Sequence, residues 1–308
     1  MADELVDRSL IDIPGMPVEM GPPAQGFKTP WSIARRRFVA NRLAVAGLVT
    51  IALLSLVALL APVLAPYDPT EIEHVLETRY LPPSLHHPFG TDEFGRDQLS
   101  RALFGARISL SVGVLAMLVA VSVGTLYGAL AGYAGGWIDN VLMRALDAFT
   151  AFPKFFLILL LAGVFEADIG VLILIMGLTS WTDTARLIRS EILTLKQRQF
   201  VEAAHAIGLP DHLIVWRHLI PNALSSVLVS ATLMVGGLIG VEAILSFLGI
   251  GVHPPTPTWG NMISGARTFM ELAPWTAIAP GLALMLVVLA INFLGDGLRD
   301  LLDPRERR

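Results

Sequence analysis

The chain has 308 residues, of which 54% are hydrophobic and 16% are charged, with a mean hydropathy of +0.64. This composition has too few charges to cover a soluble domain, so it predicts an integral membrane protein. The net charge of -4 gives no sign of a nucleic-acid partner. Cysteine is absent, which excludes disulfides and thiolate chemistry, and the seven histidines have no metal-ligand spacing, so no metal site is predicted.

Apolar stretches of membrane length predict six transmembrane helices in an all-α fold, since a helix needs about 20 apolar residues to cross ~30 Å of hydrocarbon. Four spans are predicted from stretches without a charge: residues 43–67, 108–138, 222–241 and 272–295. The third and fourth spans have shorter uncharged windows, so they must include charged residues such as Asp147 or Asp183 near the cytoplasmic side. The second span is rich in Gly and Ala, which predicts that another helix packs closely against it.

These spans divide the chain into sections. Residues 1–30 mix acidic residues with Pro and Gly and lack a signal-peptide pattern, so we predict a disordered cytoplasmic tail. The first span and an outer loop occupy residues 31–107, a five-helix core with a cytoplasmic loop at 186–221 occupies residues 108–305, and residues 306–308 form a cytoplasmic end. Most of the 22 Lys and Arg residues fall on the side that holds both termini, which places that side in the cytoplasm.

One stretch, EAAHAIGLP at 202–210, lies in the predicted loop between the fourth and fifth spans. We expect one helix from Thr184 to Ile207 that ends at Gly208 in the left-handed conformation. A new helix should then begin, with Pro210 in its first turn, where the missing N–H is not needed.

The predicted second helix, PDHLIVWRHLIPN, covers about three turns and ends before Pro221. Asp211 lies near its start, where the helix dipole favours an acidic side chain. Leu213, Trp216 and Ile220 are predicted to share one apolar face, which would dock onto another protein or onto the membrane surface.

This pattern resembles the EAA loop of the membrane-spanning subunits of bacterial ABC importers, with Glu202-Ala203-Ala204, Gly208 and Pro221 as the matching residues. RHLIPN, which contains Arg217 and His218, is similar to the dipeptide/oligopeptide (peptide/nickel) branch. Three more segments resemble the C-type subunit of that branch in the same order: GTDEFGRDQLSRALFGARISL at 90–110, EAILSFLGIGVHPPTPTWGNMI at 242–263 and FLGDGLRDLLDPR at 293–305. The likeness covers about residues 30 to 305.

The resemblance implies a type I ABC-importer permease subunit in the inner membrane of a bacterium. It also implies its partners: a homologous second permease, two ATPase subunits, an extracytoplasmic solute-binding protein and lipid. The chain lacks G-x-x-x-x-G-K-[ST], so ATP and Mg²⁺ would be bound by the ATPases, and this subunit needs no cofactor and has no catalytic residue. The resemblance assigns ATPase coupling to Glu202, Ala203, Ala204, Gly208, Pro210, Asp211, Arg217, His218 and Pro221.

Four charged residues outside this loop are further candidates. Arg96, Asp97 and Arg101 precede the second span, and we favour local salt bridges and helix-start contacts, worth little if exposed. The alternative is a docking surface for the binding protein or a gate contact with the second permease. Glu242 interrupts an uncharged run, and a carboxylate at membrane depth is a functional candidate by default. It would either line the pore or pair across the subunit interface near the outer end of the fifth span.

Two other classes of function compete with the importer. An ion- or proton-coupled secondary carrier should have several ionisable residues in repeated, broken helices, and Glu242 is the only good candidate. An intramembrane enzyme would need a catalytic constellation within the spans, and every histidine lies outside the four uncharged ones. No residue in the sequence identifies the substrate. Members of the dipeptide/oligopeptide (peptide/nickel) branch carry dipeptides, longer peptides, glutathione and nickel chelates.

Overall fold

The computed structural model describes residues 38–72, 75–165 and 168–302. Within these ranges the chain is helical, with no strand and one isolated antiparallel bridge. The predicted tail at 1–30 and the predicted end at 306–308 lie outside the described residues. The all-helical class predicted from the composition is confirmed for the part of the chain that is described.

The described helices are, in chain order, α1 Arg42–Leu59, α2 Ala61–Leu64, α3 Val75–Thr78, α4 Gln98–Ala134, α5 Gly136–Thr150, α6 Lys154–Val164, α7 Ile169–Leu195, α8 Gln199–Ala206, α9 Asp211–Ile214, α10 Ile220–Phe247, α11 Trp259–Ala266 and α12 Trp275–Leu302. A π turn, Val215–Leu219, joins α9 to α10, and a 3₁₀ turn, Arg267–Phe269, follows α11.

Five of these segments are long and apolar enough to cross a membrane: α1, α4, α7, α12 and the continuous helix Asp211–Phe247 made of α9, the π turn and α10. The predicted third span is a bent pair, because α5 and α6 meet at an angle of 74°. Pro153 caps the start of α6, and its missing N–H and its ring prevent α5 from continuing through the bend. Taken as one crossing, this broken pair is the sixth candidate span.

The second predicted span is longer than the uncharged stretch. It begins at Gln98, since the side chain of Asp97 accepts a hydrogen bond from the Ser100 N–H and caps the helix there. It ends at Gly135, whose φ of 64° lies in the left-handed region. Arg101 and Arg107, which precede the apolar stretch, are therefore part of the same helix.

α4 and α7 pack most closely of all the helix pairs, as the Gly- and Ala-rich composition predicted. Glycines at 124, 128 and 132 form a line on α4 that faces the backbone of α7. A Cβ on Gly124 would lie 2.6 Å from the carbonyl oxygen of Trp181, and a Cβ on Gly128 would overlap the carbonyl oxygen of Ala185. Only glycine allows the two backbones to approach this far.

The prediction of one helix over residues 184–207 is wrong. α7 ends at Leu195, and a turn at 196–198 separates it from α8. The ammonium of Lys196 donates a hydrogen bond of 2.8 Å to the backbone carbonyl of Tyr133 and lies 4.9 Å from the centre of its ring. This contact with the end of α4 holds the turn, and no local sequence signal announces it.

The prediction that the next helix ends before Pro221 is also wrong. The N–H of Ile220 donates to the carbonyl of Val215, five residues earlier, which is the hydrogen bond of a π turn. Pro221 then occupies the first turn of α10, where its missing N–H is tolerated. The helix Asp211–Phe247 therefore passes through the proline without a break.

Candidate functional site

The EAA-like stretch lies at one end of the helix bundle, as α8 and the turn that follows it. Its side chains Val201 and Ala204 are buried, and they belong to an apolar cluster that joins the loop to three spans. The buried members contributed by the spans are Ala129 from α4, Ile188 and Ile192 from α7, and Ile214, Leu219, Ile220, Ala223 and Val227 from the helix Asp211–Phe247. α8 is therefore packed against the spans through this cluster.

The turn after α8 has the predicted left-handed residue. Gly208 has φ of 78°, and its N–H donates to the carbonyl of His205 at 2.9 Å. The N–H of Leu209 reaches back to the carbonyl of Ala204 at 3.1 Å, which closes the turn. Pro210 is the residue that caps α9, one position before the first helical turn where it was predicted.

Large apolar side chains are exposed on this loop. Their exposed fractions are 41% for Phe200, 76% for Ile207, 37% for Leu213 and 58% for Trp216. The prediction that Ile220 shares this face is wrong, since Ile220 is 6% exposed. The π turn adds one residue to the helical turn before it, which rotates Ile220 away from Leu213 and Trp216. Exposed apolar side chains concentrated on a short loop are typical of a protein-binding surface.

Most of the predicted coupling residues are accessible to a partner: Glu202, Ala203, Gly208, Pro210, Asp211, Arg217 and Pro221 are exposed. Ala204 is buried under α8, and His218 is partly buried. The small side chain of Ala204 lets α8 lie close to the spans, so the two alanines of the motif have different surroundings.

Tyr133 was missed by the sequence reasoning. Its side chain lies near the carboxylate of Asp211, and its backbone carbonyl accepts a hydrogen bond from Lys196. Both ends of the loop therefore lie close to the last turn of α4, and the Lys196 end is hydrogen-bonded to it. The only signal in the sequence was an aromatic residue near the end of the second predicted span. Aromatic residues are common at the ends of spans, so this signal could not identify a contact with the loop.

At the other end of α4, Arg96, Asp97 and Arg101 form a buried polar network. Arg96 Nε donates to Asp92 Oδ2 at 2.7 Å, and Arg101 Nε lies 3.4 Å from the same oxygen. Asp97 Oδ2 accepts from both the N–H and the hydroxyl of Ser100, at 2.7 and 2.8 Å. These are the local salt bridges and helix-start contacts that the sequence favoured.

These pairs are buried, however, so the low value of an exposed pair does not apply to them. Arg96, Asp97 and Arg101 are only 6%, 2% and 4% exposed. Burial leaves little of them for a binding protein or a second permease to touch. It also raises their structural importance, because removing one partner of a buried ion pair costs about 3–5 kcal/mol, far more than at a surface pair.

A cavity of 260 Å³ lies beside this network, with the polar side chains of Glu93, Gln98 and Asn261 in its wall. Burial raises the pKa of the Glu93 carboxyl, and the nearby Asp92 carboxylate raises it further. Because the pKa in the folded state lies above that in the unfolded state, Glu93 favours the folded state at low pH. That contribution is lost as the pH rises through the folded-state pKa.

Glu242 is fully enclosed within this chain. The hydroxyl of Ser246 donates to its Oε1 at 2.7 Å, and the hydroxyl of Ser109 donates to its Oε2 at 3.0 Å. Ser109 Oγ also accepts from the backbone N–H of Trp259 at 3.4 Å, and the side chain of Thr258 lies near the carboxylate. The carboxylate therefore links α10, α4 and the start of α11.

Both earlier interpretations of Glu242 need correction. A side chain with no exposed surface cannot line the pore, and its partners belong to this chain rather than to another subunit. α11, the helix that it holds, was not predicted because eight residues are too few for a hydropathy signal. Its start is marked by a capping box between Thr258 and Asn261.

Two family models match the chain. Residues 124–308 match the binding-protein-dependent transport system inner membrane component. The chain belongs to this permease family. Residues 29–83 of the permease match a second model, the N-terminal transmembrane domain of oligopeptide transport permease C. The resemblance inferred from the four ordered motifs is confirmed, and the secondary carrier and the intramembrane enzyme are set aside.

Several relatives match the permease over nearly its whole length. It is 44% identical over 277 residues to the oligopeptide transport system permease protein OppC of Escherichia coli, with 90% of this chain and 92% of that protein covered. It is 39% identical over 277 residues to the dipeptide transport system permease protein DppC of Alkalihalophilus pseudofirmus, with 90% of each covered. The glutathione transport system permease protein GsiD of Shigella sonnei is 44% identical over 278 residues, with 90% of this chain and 91% of that protein covered.

Proposed function

We propose that this permease is one of two homologous membrane-spanning subunits of an ATP-driven bacterial importer that takes peptides, or related small solutes, into the cytoplasm. The observation that carries the proposal is the construction of the EAA-like loop. It is packed onto three spans on one side and exposes large apolar side chains on the other. The names of the relatives, which refer to oligopeptides, a dipeptide and glutathione, support the peptide class.

In this proposal two ATPase subunits bind the loop and supply ATP and Mg²⁺. Nucleotide can shift the balance between two permease conformations only through contacts that differ between them. α8 is the element through which that shift would pass, because Val201 and Ala204 belong to the same buried cluster as side chains of α7 and of the helix Asp211–Phe247. The buried carboxylate and arginine network at the far end of α4 would then hold the outer part of the bundle together.

The proposed arrangement has six crossings, with α5 and α6 as one broken span and both termini in the cytoplasm. The EAA-like loop then faces the ATPases. The loop before α4 faces outward, where an extracytoplasmic solute-binding protein would deliver the substrate.

Cysteine labelling tests this arrangement cleanly, because the chain has no cysteine. Leu85→Cys, at a fully exposed position, should react with a membrane-impermeant maleimide in intact spheroplasts. Gln197→Cys, also exposed, should react only after the membrane is permeabilised, and so should Glu306→Cys, which lies outside the described residues. Equal labelling of positions 85 and 197 in intact spheroplasts would contradict the six crossings.

The coupling role is tested at the turn itself. Gly208→Val should leave the permease inserted but weaken ATPase association or uncouple hydrolysis from uptake. A side chain at φ of 78° costs roughly 1 kcal/mol or more and would redirect α9. Glu202→Lys reverses an exposed charge of the loop and should have the same effect. Subunit content, binding-protein-stimulated ATPase activity and vesicle transport should be measured on purified complexes.

Gly208→Asn is the matched control, because asparagine tolerates the left-handed conformation and no atom lies within 4 Å of the added Cβ. It should behave nearly as wild type in all three assays. Wild-type subunit content, ATPase activity and transport in both Gly208→Val and Glu202→Lys would contradict the coupling assignment.

A further inference from the structure

A groove between α6, α7 and α10 contains two charged side chains, Lys154 and Asp183. Its volume is 510 Å³, and Ser230 adds a hydroxyl to a wall that is otherwise apolar. Asp183 lies about 21 Å along α7 from its first residue, and Lys154 lies about 15 Å from the last residue of α6. Both positions fall within the ~30 Å thickness of the hydrocarbon.

Neither charge has a bonded partner in the part of the chain that is described. Lys154 and Asp183 influence each other electrostatically, but no ion pair or hydrogen bond joins them within the described ranges. The arginines of α7 are different. Arg189 binds Asp139 through two nitrogens, at 2.5 and 2.6 Å, and Arg186 binds Asp147 at 3.0 Å. The groove thus holds two charges without a bonded partner among the described residues, whereas both arginines of α7 are paired.

These charges are exposed on the surface of this chain, and lipid is an unfavourable neighbour for both. Charged residues within spans face a bundle interior or water, and they mark substrate paths. The bend between α5 and α6 places a helix start in the groove. α6 begins at Lys154, and its first N–H groups have no partner within the helix. The positive potential of Lys154 is therefore reinforced by the start of α6.

We propose that this groove forms part of the wall of the translocation path and that its two charges meet the termini of a passing peptide. Lys154 and the start of α6 face the terminal carboxylate, and Asp183 faces the terminal ammonium. The occupant is a zwitterionic peptide, whose two opposite charges match the two charges of the groove. This assignment rests on the proposed peptide-import function and names the residues that serve it inside the membrane.

Transport by the reconstituted importer tests the assignment. Complexes with the second permease, the ATPases and the binding protein should be prepared with Lys154→Met, Asp183→Asn or no substitution, and uptake of a radiolabelled tripeptide with free termini should be measured in vesicles. We expect each variant to lose about tenfold or more in uptake while binding-protein-stimulated ATPase activity stays within about twofold of wild type. Glu191→Gln, which removes a carboxylate from α7 outside the groove, is the matched control and should keep uptake within about twofold.

Thiol labelling supplies a second measurement that does not depend on transport. Asp183→Cys in the assembled complex should react with a charged methanethiosulfonate reagent at least about tenfold faster than Leu178→Cys on the same helix, and the tripeptide should slow it. An unreactive Asp183→Cys would mean that the groove is closed by the second permease and would overturn the proposal. Uptake at the wild-type rate in both charge variants would overturn it as well.

The two proposals fail in different ways. If the wild-type complex takes up no peptide while its ATPase activity is stimulated by the binding protein, peptide import is wrong. The labelling of Asp183→Cys then still decides whether the groove is a water-filled path. If wild type takes up the peptide and the variants do the same, only the groove assignment is wrong.

Discussion

Gly128→Val should greatly lower the amount of folded permease recovered from the membrane. The glycine lies where α4 meets α7, and a Cβ at this position would overlap the backbone carbonyl of Ala185 and approach Ile188 to 3.0 Å. Backbone atoms cannot turn aside as a flexible side chain can, so α4 and α7, the helix pair with the most extensive contact, must separate. Overpacking in a well-packed interior typically costs ~1–3 kcal/mol, and a β-branched residue against a carbonyl is at the upper end or beyond it.

The yield of monodisperse permease in mild detergent and its thermal unfolding midpoint would measure this effect. Gly281→Val on α12 is the matched control, because no atom lies within 4 Å of its added Cβ. The control should match wild type in both measurements, whereas Gly128→Val should lose most of the yield. An unchanged unfolding midpoint for Gly128→Val would show that the close approach of α4 and α7 is not required for folding.

The second large effect is expected at Glu242. Glu242→Ala removes the acceptor of the Ser109 and Ser246 hydroxyls, and a buried hydroxyl without a partner costs ~1–3 kcal/mol. Each serine can still turn to a carbonyl of its own helix, which limits the loss. The carboxylate also fixes the hydroxyl oxygens that accept from the N–H groups of Val252 and Trp259. We therefore expect the segment before α11 to loosen more than the rest of the molecule.

Hydrogen exchange read by mass spectrometry distinguishes this local effect from general destabilisation. Peptides that cover residues 248–262 should exchange at least about tenfold faster in Glu242→Ala, because local opening free energies set exchange rates. Ser225→Ala, whose hydroxyl is exposed and bonds only to its own helix, is the control and should leave exchange unchanged. Glu242→Gln should fall between them, since its amide keeps one acceptor. Wild-type exchange in Glu242→Ala would contradict the linking role.

The hydropathy pattern was sufficient for five of the spans because burial in hydrocarbon demands length and apolarity in one continuous stretch. The left-handed turn at Gly208 could be predicted for a similar reason, since a single residue type best suits that conformation. The Gly-rich line on α4 likewise predicted a close neighbour, although nothing in the pattern said that the neighbour would be α7. Local rules succeed where one residue decides the outcome.

The failures share a different cause. The turn at 196–198 depends on Lys196 reaching the backbone of Tyr133, and these residues are far apart in sequence. The partners of Glu242 include Ser109, which lies on another span. Burial of Arg101 was missed because arginine is ordinarily exposed, and only the folded loop brings the backbone carbonyl of Pro69, 32 residues earlier, within 3.1 Å of its guanidinium. Contacts of this kind belong to the packing and not to any local pattern.

The unbroken helix from Asp211 to Phe247 can act as a lever. It has 37 residues, which is a rigid arm about 55 Å long. A tilt of about 10° imposed at the loop end would displace the far end by about 10 Å, which is more than a gate needs to open or close. A break at Pro221 would have absorbed that tilt locally. The π turn preserves the arm, so in the proposed function a displacement at the loop would be carried along the helix to the opposite side of the bilayer.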